Sequence, residues 1–107
     1  MGWIYIFIAA LFEISWVVGL KYSNGLTNLN ASIFTIITML LSFYFLALGS
    51  KELPIGTAYA VWTGIGATGT VVYGILFFNE SKDLLRIFFI MIIIIGIIGL
   101  KLTDKQI

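Results

Sequence analysis

One carboxylate within an apolar stretch is the residue of this sequence best suited to chemistry. Glu13 lies inside the apolar run of residues 3–20. Because a charge at that depth costs about 2.5 kcal/mol or more to insert in a membrane, it should face a water-filled cavity or a partner. We therefore interpret Glu13 as a proton site. In the alternative interpretation, a protonated Glu13 only bonds a neighbouring helix, or it pairs with a cation of another subunit.

Aromatic side chains recur at helical spacing near this carboxylate and on a later stretch. Trp16 follows Glu13 by three residues, and Trp62 follows Tyr59 at the same spacing. Residues three apart share one face of a helix. A cation there would find a counter-charge and aromatic faces. Such aromatics also serve packing, but the mid-span position of Trp62 favours a binding site.

Ser42, in the stretch LLSFYF, is a small polar residue in the middle of another apolar run. Its hydroxyl either bonds Glu13 or a neighbour, or bonds back to its own helix. We expect Ser42 to orient Glu13 by a hydrogen bond.

Four apolar runs must position these residues, and each is long enough to cross a bilayer as a helix. Turn-forming residues separate them, including Asn24, Gly25 and Pro54. The pattern predicts an all-α membrane protein, with residues 1–107 forming one four-helix transmembrane domain in an up-down bundle. The predicted helices cover about residues 3–20, 31–49, 55–78 and 84–102.

Composition excludes several classes of function. The chain is 61% hydrophobic and 10% charged, which is typical of a membrane protein. It contains no cysteine and no histidine, so thiolate and imidazole chemistry and the commonest zinc ligands are lacking. We expect no metal, no cofactor and no enzymatic activity. The net charge of +1, with scattered cations, argues against nucleic acid as a partner.

The segment GIGATG at residues 64–69 matches a dinucleotide-binding pattern, yet its context excludes that function. The pattern requires a preceding strand and an acidic residue about 20 positions later, and neither is present. Small residues instead allow close helix contact in membranes. We expect a bend or packing seam in the third helix at Gly64, Gly66 and Gly69.

Two features favour a dimer. Gly96 and Gly99 interrupt the bulky run IIIIGIIGL and offer a contact for a second copy. The cations on the two membrane sides balance, so the positive-inside rule allows both orientations, and an antiparallel dimer becomes possible. Alternatively, details beyond this count fix one orientation. The two sides carry Lys21, Lys82 and Arg86 against Lys51, Lys101 and Lys105.

Three stretches, FEISWVVGLKYSNGLT, LPIGTAYAVWTGIGA and GIIGLKL, closely resemble the small multidrug resistance transporters, specifically their guanidinium exporter subtype. The resemblance covers nearly the whole chain. It implies a dual-topology, antiparallel homodimer that works by alternating access, with the fourth helices in contact and the third helix bending. It also implies that Glu13 is the shared proton and substrate carboxylate. The matching pocket residues are Trp16, Ser42, Tyr59 and Trp62.

Trp16 and Lys101 look like the guanidinium subtype, while two positions depart from it. Ala10 stands where the subtype usually has glycine, and the link NLNAS lacks a common proline. These departures put the pocket floor and the loop rigidity in doubt.

The resemblance implies proton-coupled export of guanidinium or a substituted guanidinium cation from the plasma (inner) membrane of a bacterium. Its partners would be that cation, protons, the lipid bilayer and a second copy of the chain. Two alternatives remain open. One is a broad multidrug exporter of aromatic or quaternary ammonium cations. The other is a nontransporting assembly or regulatory subunit that uses Glu13 to pair with another membrane protein.

Overall fold

A computed structural model describes residues 1–103 of the chain. Within these residues, four helices are joined by short links. Each helix has the length and apolar composition needed to cross a membrane. The prediction of an all-helical chain with four such helices is therefore confirmed. Lys105, which entered the count of cations, lies outside the described residues. The helices are α1 (Gly2–Tyr22), α2 (Leu29–Ser50), α3 (Ile55–Phe77) and α4 (Leu84–Leu102).

The link between α1 and α2 is a tight turn. Asn24, Gly25 and Leu26 all adopt left-handed backbone conformations, with φ values of 51°, 73° and 68°. Ser23 stabilises the turn because its hydroxyl donates to the carbonyl of Leu20 at 2.7 Å and accepts from the N–H of Leu26 at 3.0 Å. These bonds satisfy backbone groups that the end of α1 would otherwise leave unpaired.

The other helix ends also have identifiable signals. The side chain of Asn28 caps α2 by accepting a hydrogen bond from the N–H of Ala31 at 3.2 Å. Pro54 stands directly before α3, where its missing N–H has no helical partner to lose. Near the start of α4, Arg86 forms an ion pair with Glu80 at 2.8 Å. The links thus hold successive helices in an up-down order.

The described helices form a flat layer. The α1 backbone packs against α2 and α3, whereas the α4 backbone packs against α3 alone. The described chain accordingly measures 45 × 34 × 16 Å. Because lipid tails are as apolar as leucine, no hydrophobic force makes α4 close over α1 and α2. The Nζ atom of Lys101 nevertheless reaches the Trp3 ring, 4.7 Å from its centroid.

Small residues bring α1 close to its neighbours. Gly49 of α2 faces the Ile6 side chain so closely that an added Cβ atom would collide with it. Alanines on α1 and α3 are fully buried in the same region. These small residues thus allow α1 to pack against both α2 and α3. The buried cluster consists of Ile6, Ala9, Ala10, Leu53, Ala58, Val61 and Trp62.

Candidate functional site

Glu13 lies on α1 against the backbone of α3 at Gly66. A Cβ atom at position 66 would collide with the Glu13 carboxyl group, so only glycine allows this approach. The residue is partly buried, and its Oε1 atom is buried with no hydrogen-bond partner among residues 1–103. A buried oxygen without a hydrogen bond costs free energy, because it has lost its contact with water. A proton or a ligand that bonds this atom would remove that cost.

An open groove between α1 and α3, with a volume of about 280 Å³, gives access to Glu13. Glu13 is the only titratable side chain among the residues that line it. Thr63 and Thr70 supply the other side-chain polar atoms. A cation in this groove would therefore meet one carboxylate and two hydroxyl groups. The lining residues are Glu13, Val17, Thr63, Gly66, Ala67, Thr70 and Val71.

Ser42 bonds to two other helices and not to Glu13. Its hydroxyl donates to the carbonyl of Ala9 at 2.7 Å and accepts from the indole N–H of Trp62 at 3.0 Å. The expected hydrogen bond that orients Glu13 is therefore replaced by one that orients Trp62. A hydroxyl group can donate only one hydrogen bond, and here it donates that bond to the Ala9 carbonyl of α1.

The predicted aromatic residues approach one another through a residue that the sequence analysis did not single out. Phe43 lies edge-on between Trp16 and Trp62, with ring centroids 6.3 and 6.0 Å away. Tyr59 lies 5.7 Å from Trp62 between centroids and is 56% exposed. Four rings from three helices thus form a continuous series of contacts, which begins at Trp16 of α1 and ends at Tyr59 of α3.

The indole N–H of Trp16 is buried and has no hydrogen-bond partner in the described part of the chain. Trp16 is three residues from Glu13 on the same helix, so the two side chains share a face. Two polar groups on that face, a carboxylate oxygen and an indole N–H, thus have no hydrogen-bond partner among residues 1–103.

The glycines of α3 serve as contacts for both neighbouring helices. Gly69 lies against the Ile14 side chain of α1, and Gly64 lies against Ile97 of α4, whose Cδ1 atom would stand 2.9 Å from an added Cβ. Gly66 likewise lies against Glu13 of α1. The assignment of the three glycines to a packing seam stays a prediction. So does the other expected role, a bend of α3.

Gly96 and Gly99 have open space where a side chain would stand in the described part of the chain. A Cβ atom added to either would meet nothing within 4 Å. Gly96 is exposed and Gly99 is partly exposed. Their assignment to a dimer contact stays a prediction.

A larger cavity of about 420 Å³ lies toward the C-terminal ends of α1 and α3. Its lining includes Ser15, Tyr22 and Tyr73 but no carboxylate. The two tyrosine hydroxyl groups bond each other at 3.2 Å. A cation would find no counter-charge there, so the Glu13 groove is the better candidate site. Within residues 1–103, no cluster of acidic side chains could hold a metal ion.

Comparison with known proteins places the chain in a family. Residues 1–93 match the family model described as Small Multidrug Resistance protein. The chain belongs to the small multidrug resistance family. This match confirms the resemblance inferred from the sequence motifs. Its groove carboxylate, Glu13, lies within the matched segment.

Several bacterial relatives in this small multidrug resistance family are named guanidinium exporter. The one from Proteus vulgaris is 53% identical over 104 residues, covering 97% of this chain and 100% of that protein. The one from Escherichia coli (strain K12) is 48% identical over 103 residues, covering 96% and 98%. With the four spanning helices, these relatives identify a multi-pass protein of the bacterial inner membrane.

Proposed function

We propose that this protein exports guanidinium-type cations in exchange for protons, and that cation and proton compete for Glu13. One observation carries the proposal: the Glu13 carboxyl group lies inside a membrane-spanning helix, lines an open groove and has a buried oxygen without a protein partner among the described residues. A carboxylate in that position is suited to reversible binding of a positive charge.

The chemistry of the substrate agrees with this carboxylate. A guanidinium group stays protonated at physiological pH, as the arginine head does, so it cannot cross lipid as a neutral molecule. Its planar fork can donate two parallel hydrogen bonds to one carboxylate. A proton on Glu13 removes both the negative charge and one acceptor. Binding of one ligand therefore releases the other.

The aromatic residues form the proposed walls of the substrate pocket. The faces of Trp16, Tyr59 and Trp62 can attract a cation through their π electrons. Ser42 contributes indirectly, because it fixes the indole of Trp62 by a hydrogen bond. A fixed ring keeps its attractive face directed to one place, which lowers the entropy lost on binding.

The names of the relatives favour a guanidinium-type substrate over a broad range of cations. Proteins about half identical to this chain over nearly its whole length are called guanidinium exporters. The bulky side chain of Trp16 beside Glu13 also favours a small planar cation. A broad exporter of aromatic or quaternary ammonium cations is the rival function.

The proposed working unit is an antiparallel homodimer that alternates its access between the two membrane sides. Ile90 is the one buried residue of α4 in the described chain, so most of the helix offers a free surface to a second copy. Bending of α3 at its glycines would switch the access. In the dimer two Glu13 side chains would face one cavity and titrate as a pair. A proton gradient then drives export of the cation.

Reconstitution of the purified protein in liposomes tests the proposal. A guanidinium gradient should drive protons in the opposite direction, detected by a pH-sensitive dye inside the liposomes. Glu13→Gln should abolish this movement. Glu52→Gln is the matched control, because it removes a carboxylate from the link between α2 and α3, outside the helices. That variant should exchange like the wild type.

Each contrary result identifies a different error. Proton-coupled flux in Glu13→Gln would show that another group carries the exchange. Tetraalkylammonium or large dye cations that compete as well as guanidinium would favour the multidrug function. A folded, dimeric preparation without any flux would point to a nontransporting assembly subunit.

A further inference from the structure

Thr70 has a buried hydroxyl group that the described chain leaves without a hydrogen-bond partner. Threonines in helices commonly donate to a carbonyl group one turn earlier. Thr35 and Thr38 do so here, both at 2.8 Å. Thr70 does not, although its hydroxyl oxygen is buried as well. Its hydroxyl oxygen is therefore free to accept a bond from a molecule outside the chain.

The position of Thr70 joins the Glu13 groove to a second groove of about 390 Å³. Thr70 and Val17 line both. The second groove also includes Lys21 and Glu80, which lie at the ends of the spans. A cation that moves between Glu13 and this end of the membrane would therefore pass Thr70.

The register of α3 places Thr70 one helical turn from the residue that contacts the Glu13 carboxyl group. Gly66 contacts the Glu13 carboxyl group, and Thr70 lies four residues further on the same face of α3. Four helical residues rise about 6 Å. A hydroxyl group one turn from the carboxylate is thus within reach of a small cation held between them.

We infer that the Thr70 hydroxyl is a second contact for the cation. Its oxygen accepts a hydrogen bond from an N–H group of the guanidinium that Glu13 holds. This inference rests on the proposed function. Paired bonds to one carboxylate use two N–H groups, and a guanidinium has others that must also find acceptors when water is removed. The remaining residues that line the groove, apart from Thr63, have apolar side chains or none.

Thr68 provides a matched control on the same helix. Its hydroxyl is also buried without a partner in the described chain. It lines a different cavity, of about 300 Å³, in which the other lining residues are apolar residues and Gly69. Removal of its hydroxyl alters α3 in the same way but leaves the Glu13 groove unchanged.

Guanidinium binding to the purified full-length protein tests the inference by calorimetric titration. Thr70→Val preserves the shape and removes the hydroxyl, so affinity should fall about tenfold, the size of one hydrogen bond to a charged group. Thr70→Ser restores the hydroxyl, and Thr68→Val leaves the groove intact. Both should bind within about twofold of the wild type. If Thr70→Val fails to fold, Thr70→Ala removes the same group with the same expectation.

Two results would overturn the inference while the proposed function stands. One is equal affinity in Thr70→Val and Thr68→Val. The other is an equal loss in Thr70→Val and Thr70→Ser, which would assign the effect to shape and not to the hydroxyl. If the wild type does not bind guanidinium, or if Glu13→Gln binds it equally well, the proposed function itself fails and the inference falls with it.

Discussion

The indole N–H of Trp62 donates a hydrogen bond to the hydroxyl of Ser42 at 3.0 Å, and that hydroxyl donates a hydrogen bond to the carbonyl of Ala9 at 2.7 Å. One side chain from α2 thus connects α3 to α1 in the middle of the spans. Ser42 is fully buried and Trp62 is 7% exposed, so neither lost bond could readily be replaced by water. Ser42 therefore fixes the orientation of Trp62, one of the residues proposed to form the aromatic wall.

Ser42→Ala should loosen that wall and leave the proton chemistry of Glu13 unchanged. The substitution leaves the Trp62 N–H and the Ala9 carbonyl without this partner, which should cost about 1–3 kcal/mol of stability. We expect severalfold weaker guanidinium binding with an unchanged pH midpoint. Thermal unfolding and guanidinium titrations at several pH values measure both effects.

Thr38→Ala is the matched control for Ser42→Ala. Thr38 is a buried residue of the same helix, and its hydroxyl donates hydrogen bonds to carbonyl groups of that helix. Its removal should therefore leave guanidinium affinity intact. A shifted pH midpoint in Ser42→Ala would indicate that Ser42 acts on Glu13 directly.

Gly66→Ala should damage the site through one methyl group. The new Cβ atom would collide with the Glu13 carboxyl group, which must then move out of its position against α3. We expect guanidinium exchange to fall at least about tenfold, since small misplacements of a binding group are costly. Exchange assays in liposomes and gel filtration of the purified variant separate lost function from lost fold.

Gly56→Ala tests whether any added methyl group on α3 has the same effect. A Cβ atom at position 56 meets nothing within 4 Å, so this variant should exchange like the wild type. Equal losses in the two variants would mean that helix flexibility, and not the contact with Glu13, explains the result.

The sequence was sufficient to predict the helices and their links. Apolar runs of about 20 residues have few alternatives to membrane helices, because each backbone amide must be satisfied within the segment. Asn24 and Gly25 likewise predicted the turn that the structure forms with left-handed residues. The flat arrangement was not predictable, because an apolar helix surface can face lipid or protein equally well.

The candidate site could be predicted only in part. Glu13 stood out because a charged side chain within a membrane-spanning run costs free energy, and such residues commonly have a function. Its contact with Gly66, and the bond from Trp62 to Ser42, depend on the relative register of separate helices, which a sequence does not contain. Phe43 was missed because it follows Ser42 directly, and neighbouring residues point about 100° apart on a helix.

Guanidinium affinity should fall as the pH is lowered. A proton on Glu13 neutralises the carboxylate that holds the cation, so binding is strongest where Glu13 is ionised. Below that range the apparent Kd should rise by up to about tenfold per pH unit for each proton displaced. Titrations across pH 5 to about 9 measure this slope, because the other residues lining the groove have no titratable side chain.

Glu13→Gln is the control for the pH dependence. It keeps the size of the side chain but cannot ionise, so binding should be weak and independent of pH. A wild-type affinity that does not change with pH would contradict competition between cation and proton.

Gly96→Leu should prevent dimer formation without unfolding the chain. Position 96 has open space around it, so a leucine fits within one chain. Helices in lipid associate through close packing at small residues, and Gly96 with Gly99 would supply that contact. We expect at least tenfold weaker dimerisation and a parallel loss of exchange, measured by energy transfer between labelled chains in liposomes. Ile92→Leu, an exposed and volume-neutral change on α4, should dimerise normally. A Gly96→Leu chain that dimerises like the wild type would place the contact on another helix.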